Sequence, residues 1–272
     1  MAAFASRRKH SPSGRSPWRG AGVTASWLVV ALSPIVGSLI GLLVVRLPAG
    51  EGVVLGRSRC RSCLRPLRPL DLVPLASWLV LRGRCRACGQ RISGLYPAVE
   101  LAAIVMAAWA VLAVPAGVVW PTALLGWILL ALAVIDARAL ILPDALTLPL
   151  AGCGLAVAWW LDPQGAASHA FAAAGGWLGF RLVGWIYSAL RHRPGLGAGD
   201  AKLMAAAGAW VGWQGLPSVI LIAALSALAA VAAAKVLRRP ITAATPVPFG
   251  PFLALGVWLT WLYGPIGIPV LL

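Results

Sequence analysis

Long apolar runs, separated by short polar stretches rich in arginine, dominate this chain. The runs occupy residues 23–45, 97–114, 118–135, 142–161, 170–190, 201–213, 216–237 and 250–271. Crossing the hydrocarbon core of a bilayer takes roughly 20 apolar residues of helix. Most of the runs meet that length; the sixth is short. Gly212-Trp-Gln-Gly-Leu-Pro217 separates the sixth from the seventh, and without that break the two would form one run too long for a bilayer. The pattern predicts an all-α polytopic membrane protein with about eight transmembrane helices and a polar loop, 46–96, after the first. The first run is too long for the apolar part of a signal peptide and no small-residue cleavage site follows it, so 23–45 is read as a retained helix. Before it, residues 1–22 form a basic tail rich in Ser, Pro and Arg that predicts disorder.

Composition supports the membrane reading. Apolar residues make up 60% of the 272, and only 11% are charged. The net charge of +16 raises the question of nucleic acid. Its distribution answers against it, because the basic residues cluster in a few short loops, as orientation of a multispanning protein requires. With the N-terminus outside and eight spans, seventeen Lys and Arg fall in inside segments, ten of them in the 46–96 loop. The outside loops after the second, fourth and sixth spans hold none; the tail, with five, opposes the rule locally. Arg181 lies inside the fifth run, where a buried cation paired with a carboxylate or helix carbonyls is the favoured reading.

The 46–96 loop carries Cys60-Arg-Ser-Cys63 and Cys85-Arg-Ala-Cys88. Each pair can place two thiolates on one metal, and four close a tetrahedral zinc site with no open position. Neighbouring arginines favour the thiolate form. Two disulfides or inert thiols are the alternative, and a loop facing a reducing cytoplasm disfavours the disulfides. Such a zinc would fold the loop and would not catalyse. Between the pairs, 75–84 is a short amphiphilic stretch suited to the membrane surface. Cys153, in the fourth run, reads as packing. His10, His169 and His192 are isolated, and none has ligand spacing.

The chain has seven acids: Glu51, Asp71, Glu100, Asp136, Asp144, Asp162 and Asp200. Asp136 and Asp200 each sit at the end of a membrane-length apolar run, Asp200 behind the glycines of Gly195-Leu-Gly-Ala-Gly-Asp200. In the orientation above both lie at the cytoplasmic face. Asp144 follows Pro143 and suits the first turn of the next helix. Singly, Asp136 reads as a solvated helix-end acid beside Arg138, and Asp200 as an N-cap. Together they suit peptide hydrolysis. Two close carboxyls share one proton; the ionised one takes a proton from water, and the other donates to the scissile carbonyl and then to the leaving amine. No serine or cysteine has a histidine at recognisable nucleophile spacing.

These motifs resemble those of the type IV prepilin peptidases, intramembrane aspartic proteases of the Gly-x-Gly-Asp type. The matching residues are Gly197-Ala-Gly199-Asp200-Ala-Lys202-Leu203, and Asp136 through Leu-Pro143-Asp144-Ala-Leu-Thr147. The cysteine pairs match too, with Ser77-Trp78-Leu, Leu81-Arg82-Gly83-Arg84-Cys85, Tyr96-Pro97-Ala-Val-Glu100 and Pro248-Phe249-Gly250-Pro251-Phe252. The resemblance implies an eight-span enzyme of the bacterial inner membrane, with Asp136 and Asp200 catalytic and 97–272 forming a seven-helix peptidase domain. It implies removal of a basic leader from prepilins or pseudopilins after a glycine, just before an apolar helix that lies in the bilayer. It also implies methylation of the new N-terminal amine from S-adenosylmethionine. Two segments depart from the pattern: Ser38-Leu39-Ile40-Gly41 stands for Ser-Phe-Leu-Asn, and Asp71-Leu72-Val73-Pro74 for Glu-Asn-Ile-Pro. Both fall in or beside the region associated with methyl transfer, and no glycine-rich methyl-donor motif of the soluble kind is visible. The competing readings are a non-catalytic zinc-containing scaffold for pilus or secretion assembly, and a transporter with a proton relay. The second is disfavoured because the key acids lie at one face and not at the midplane.

Overall fold

The structure is a computed structural model that describes residues 18–53, 58–191, 197–237 and 247–266, with side chains in the first segment from residue 26 onward. The tail through residue 17, His10, His192, and Gly195-Leu196 at the head of the glycine stretch lie outside the described residues. So do Arg57, Arg193, Arg238, Arg239 and the end of the eighth apolar run.

The described residues form α1 (Trp18–Arg46), a five-residue α2 (Ala76–Val80), α3 (Leu95–Ala113), α4 (Val119–Ala139) and α5 (Asp144–Leu161). Then come α6 (Ala166–Arg191), α7 (Ala198–Val236) and α8 (Gly250–Tyr263). Extended pairing among them is limited to two isolated bridges, Arg59 with Pro66 and Arg84 with Arg91. Five helices, α1, α3, α4, α5 and α7, are long and apolar enough to cross a membrane. The chain is thus the all-α polytopic membrane protein that the apolar runs predict. Its exposed Trp159 and Trp160 close the C-terminal end of α5, the position that interfacial tryptophans favour.

The expected break between the sixth and seventh runs takes a sharper form than a loop. Residues 198–236 stay helical throughout except at Gly212, whose φ of 66° and ψ of −175° lie in a region essentially reserved for glycine. A straight helix of that length would run about 58 Å at the usual rise per residue, roughly twice the hydrocarbon thickness. The kink resolves the conflict.

Two compact units divide the described chain, Arg15–Ala131 and Leu132–Leu272, with the boundary inside α4. In the first, α1 packs on α3 so closely that a Cβ on Gly37 would lie 2.5 Å from the Glu100 Cα. The Trp127 indole of α4 donates to the Ala103 carbonyl of α3 at 3.1 Å. In the second, small residues again set the spacing. A Cβ on Gly208 of α7 would stand 2.4 Å from the Ala172 carbonyl oxygen of α6, and one on Gly256 of α8 2.5 Å from that of Val219. Close backbone approach of this kind is how membrane helices gain dispersion contacts where lipid removes the hydrophobic drive. The buried Trp210 donates to the Leu150 carbonyl at 2.8 Å, tying α7 to α5.

Two sequence expectations are settled here. A ring nitrogen of His169 is hydrogen-bonded to the Ala209 carbonyl at 3.0 Å, a satisfied packing histidine. Arg181 is exposed on α6, not buried, and among the described residues no carboxylate pairs with it.

The kink predicts a specific sensitivity. Gly212→Ala should destabilise the protein by about 1–3 kcal/mol, the usual cost of forcing a side chain into that region. Thermal unfolding in detergent, compared with Gly179→Ala where the added methyl meets open space, measures it; equal melting of the two would contradict the strain argument.

Candidate active site and metal centre

Asp136 sits one turn before the end of α4 and is only 6% exposed. Its Oδ2 accepts the backbone N–H of Gly250 at 2.8 Å, at the first turn of α8. Arg138, the cation that the sequence suggested as its partner, is exposed and makes no ion pair among the described residues. A buried carboxylate next to hydrocarbon therefore finds its donor in the backbone of a distant segment.

Asp200 is the third residue of α7. The N-cap is Gly197, in extended conformation, so Asp200 is not itself the cap that the sequence suggested. Its carboxyl folds back over Gly197, whose N–H donates to it. That is the acid half of a capping box. Asp200 is half-buried, and the charge of Asp136 acts on it through space. Both motif aspartates thus belong to the 132–272 unit.

The two motifs also touch through their other residues. A Cβ on Gly199 would fall 2.8 Å from the Leu142 Cβ, so the second glycine of the motif is bare where α7 starts against the connector that follows Asp136. Lys202, one turn into α7, forms an ion pair with Asp144 at the start of α5. Asp144 thereby has a partner besides the helix dipole. Leu140 closes α4 with φ of 56°, a left-handed cap that costs a non-glycine residue about 1–2 kcal/mol.

In the first unit, the four cysteines of the loop converge. The Sγ atoms of Cys60, Cys63, Cys85 and Cys88 all lie within 4.8 Å of one another, and none forms a disulfide. Cys60 and Cys88 Sγ are 3.8 Å apart, matching the edge of about 3.8 Å that a tetrahedron with Zn–S bonds of about 2.3 Å requires. Each pair sits in the same turn. The Cys60 N–H donates to Arg65 O and the Leu64 N–H to Cys60 O; the Cys85 N–H donates to Gln90 O and the Gly89 N–H to Cys85 O. The residue after each second cysteine takes positive φ, Leu64 at 56° and Gly89 at 71°. The loop is therefore a two-fold local repeat that sequence inspection missed. Its signal was the shared Arg-Cys-Arg-x-Cys spacing.

The thiols fit a dication. The N–H groups of Cys63 and Ser62 aim at Cys60 and bring its thiol down to about 6. Cys88 gains from the Gln90 N–H, yet desolvation and hydrogen bonds with Cys63, Cys85 and Cys60 push it up to about 11. Four thiolates at this spacing need a metal's charge to coexist. Around them, Arg86 Nε meets Asp71 at 2.9 Å and holds that carboxyl below the usual range. The buried Glu100 of α3 accepts the Leu75 N–H at 2.7 Å, fixing a loop residue whose φ is 58°. The amphiphilic stretch 75–84 is partly helical. It holds one turn and a half of helix, with Leu79 and Val80 exposed and Trp78 against Gly83.

Taken together, the helices and the motifs define an integral membrane protein with the two motif aspartates in one unit and, in the other, four cysteines placed to hold a metal ion. Residues 31–114 match the bacterial peptidase A24 N-terminal domain, and residues 123–232 match the type IV leader peptidase family. A prepilin leader peptidase/N-methyltransferase of Aeromonas hydrophila is 36% identical over 262 residues, covering 87% of this chain and 90% of its own. One of Burkholderia pseudomallei is 41% identical over 219 residues, 80% of this chain and 71% of its own. One of Pseudomonas aeruginosa is 35% identical over 262 residues, 86% and 89%. No solved structure matches the chain. The chain belongs to the type IV leader peptidase family. It is an enzyme of the bacterial inner membrane, a protease that is also a methyltransferase.

Two outcomes test the local geometry. Gly199→Ala should slow peptide cleavage at least tenfold, since its methyl overlaps Leu142, and Leu142→Ala in the same chain should restore part of the rate; a double mutant no faster than Gly199→Ala would refute the contact. Metal analysis of the purified protein should give one bound ion per chain. Cys63→Ser should lose it and expose 58–91 to proteolysis, while a metal-free wild type with an equally resistant loop would contradict a structural centre.

Proposed function

We propose that this chain removes the basic leader from type IV prepilins or secretion pseudopilins by aspartyl catalysis with Asp136 and Asp200, and then methylates the new N-terminal amine. The observation that carries the mechanism is the placement of these two carboxyls. Each lies at a helix end in one unit, each is fixed by a backbone N–H, and the charge of one acts on the other.

The chemistry follows from an acid pair that shares one proton. The ionised carboxylate draws a proton from a water molecule as its oxygen attacks the carbonyl carbon after the substrate glycine. The protonated carboxyl gives its proton to the carbonyl oxygen. Collapse of the tetrahedral intermediate breaks the C–N bond: the carboxylate that protonated the carbonyl oxygen takes back a hydroxyl proton as the carbonyl re-forms and passes a proton to the leaving amine, so the pair again holds one proton between its two carboxyls. The pair is then ready for another cycle, with neither metal nor covalent intermediate consumed.

The arginine-rich loops favour an active site at the cytoplasmic face, where a leader's basic residues would also be held. The substrate's apolar helix would lie in lipid beside the enzyme. The four thiolates of Cys60, Cys63, Cys85 and Cys88 suit Zn2+ by softness and geometry. With all four positions filled by protein, such an ion holds the two knuckles of the loop together and leaves no coordination site for substrate. S-adenosylmethionine, when bound, supplies the methyl group.

Cleavage of a prepilin-like peptide by the wild type, Asp136→Asn and Asp200→Asn in detergent tests the proposal. Asparagine keeps size and polarity and cannot exchange the proton. Both variants should fall at least about a thousandfold in rate while melting like the wild type and still methylating a peptide that already lacks its leader. Normal cleavage by either variant would remove that aspartate from the mechanism. A wild type inert on several prepilins would instead favour a scaffold that binds the pilus or secretion assembly.

A further inference from the structure

We propose that Gly250 is a positioning residue of the peptidase site, fixing the Asp136 carboxyl with its N–H and leaving bare the space that carboxyl fills. The inference rests on the catalytic reading of Asp136. Neither the apolar pattern nor the spacing of the acids gives Pro248-Phe249-Gly250-Pro251-Phe252 a task, although it precedes the last span.

The backbone accounting of this segment is informative. A helix start leaves its first N–H groups without intrahelical partners. Pro251 has none to offer. The N–H groups of Phe252 and Leu253 both turn to the Phe249 carbonyl, at 3.1 Å each. Gly250 alone keeps a free N–H in that turn, and this one reaches Asp136 Oδ2 at 2.8 Å. The partner is 114 residues away in sequence. With Oδ2 held by an amide, Oδ1 is the oxygen left to exchange a proton with water and with Asp200.

The space around Gly250 makes the same point independently. A Cβ there would stand 2.7 Å from Asp136 Oδ2, 2.9 Å from its Cγ and 3.0 Å from its Cβ. The three atoms nearest the missing side chain therefore all belong to Asp136, and Gly250 itself is buried. A methyl group at this point must rotate or push Asp136 away from the amide. Displacement of a reacting group by about 1 Å can cost on the order of a hundredfold in rate.

Gly250→Ala, in the full-length metal-loaded enzyme, is compared with Gly256→Ala. The latter is equally crowded, in the same helix, with its methyl 2.5 Å from the Val219 carbonyl oxygen and away from both acids. Gly250→Ala should lower kcat for leader cleavage at least about tenfold with KM within about twofold, and should leave methylation of a leaderless peptide intact. Gly256→Ala, compared per folded molecule, should keep its kcat. Wild-type kcat in Gly250→Ala, or equal loss in both variants, overturns the inference. Asp136→Asn run alongside separates the two levels. If it cuts normally, the catalytic reading itself fails; if it is dead while Gly250→Ala is normal, only the positioning role falls.

Should Gly250→Ala not fold, the contact can be read without it. Phe249-Gly250 is the one Phe-Gly pair in the sequence, so carbonyl-13C phenylalanine with 15N glycine isolates the Gly250 amide. Its proton resonance should move upfield in Asp136→Ala as the carboxylate acceptor is lost. An unmoved resonance overturns the proposal.

Discussion

A carboxylate beside hydrocarbon must be given donors by the protein, because water is scarce there and an unpaired charge costs several kcal/mol. This constraint shapes the 132–272 unit around Asp136. Among the described residues, no basic side chain forms an ion pair with Asp136. The donor is an amide at the first turn of α8, which requires α8 to approach the end of α4 within hydrogen-bond distance. Asp200 meets the same demand within its own helix, from the N–H of Gly197. Backbone donors suit a pair that must exchange a proton. They fix orientation without placing a second full charge beside the acids, as a lysine or arginine would. The one nearby lysine, Lys202, is engaged elsewhere, by Asp144.

Glycine makes that arrangement possible, and for reasons that differ from site to site. At Gly250 and Gly199 the absent side chain is room for a specific neighbour, Asp136 in one case and Leu142 in the other. Gly208 and Gly256 instead let two backbones meet. At Gly212 the reason is a backbone conformation that other residues avoid. Only the last is a matter of conformational freedom. The glycines of the Gly-x-Gly-Asp stretch are thus better understood as contact surfaces than as a flexible loop. Gly197 caps α7 in ordinary extended geometry, and Gly199 is already helical.

Much of this was legible in the sequence, and the limits have physical causes. Helices were readable because apolar length is set by bilayer thickness and needs no partner to interpret. The cysteine centre was readable because metal ligands must be close, so two short spacings announce it. The acid pair was readable only as a pair of similar positions, at the ends of apolar runs. What stayed hidden were contacts between segments far apart in sequence: Asp136 with Gly250, Lys202 with Asp144, Leu75 with Glu100. Backbone N–H groups are the same at every residue, so no residue type signals which carboxyl one of them will serve. Arg138 misled for the complementary reason. Proximity in sequence suggested a partner for Asp136, but a cation one residue short of the helix end can turn outward, and here it does.

The cysteine loop and the acid pair solve one problem by opposite means. In the loop, four thiols lie close enough to hold a cation, and the segment has few buried apolar side chains to order it otherwise. In the 132–272 unit, order comes mainly from packing, with Trp210, Trp258, Leu203 and Met204 buried. Packing supplies rigidity without neutralising charge.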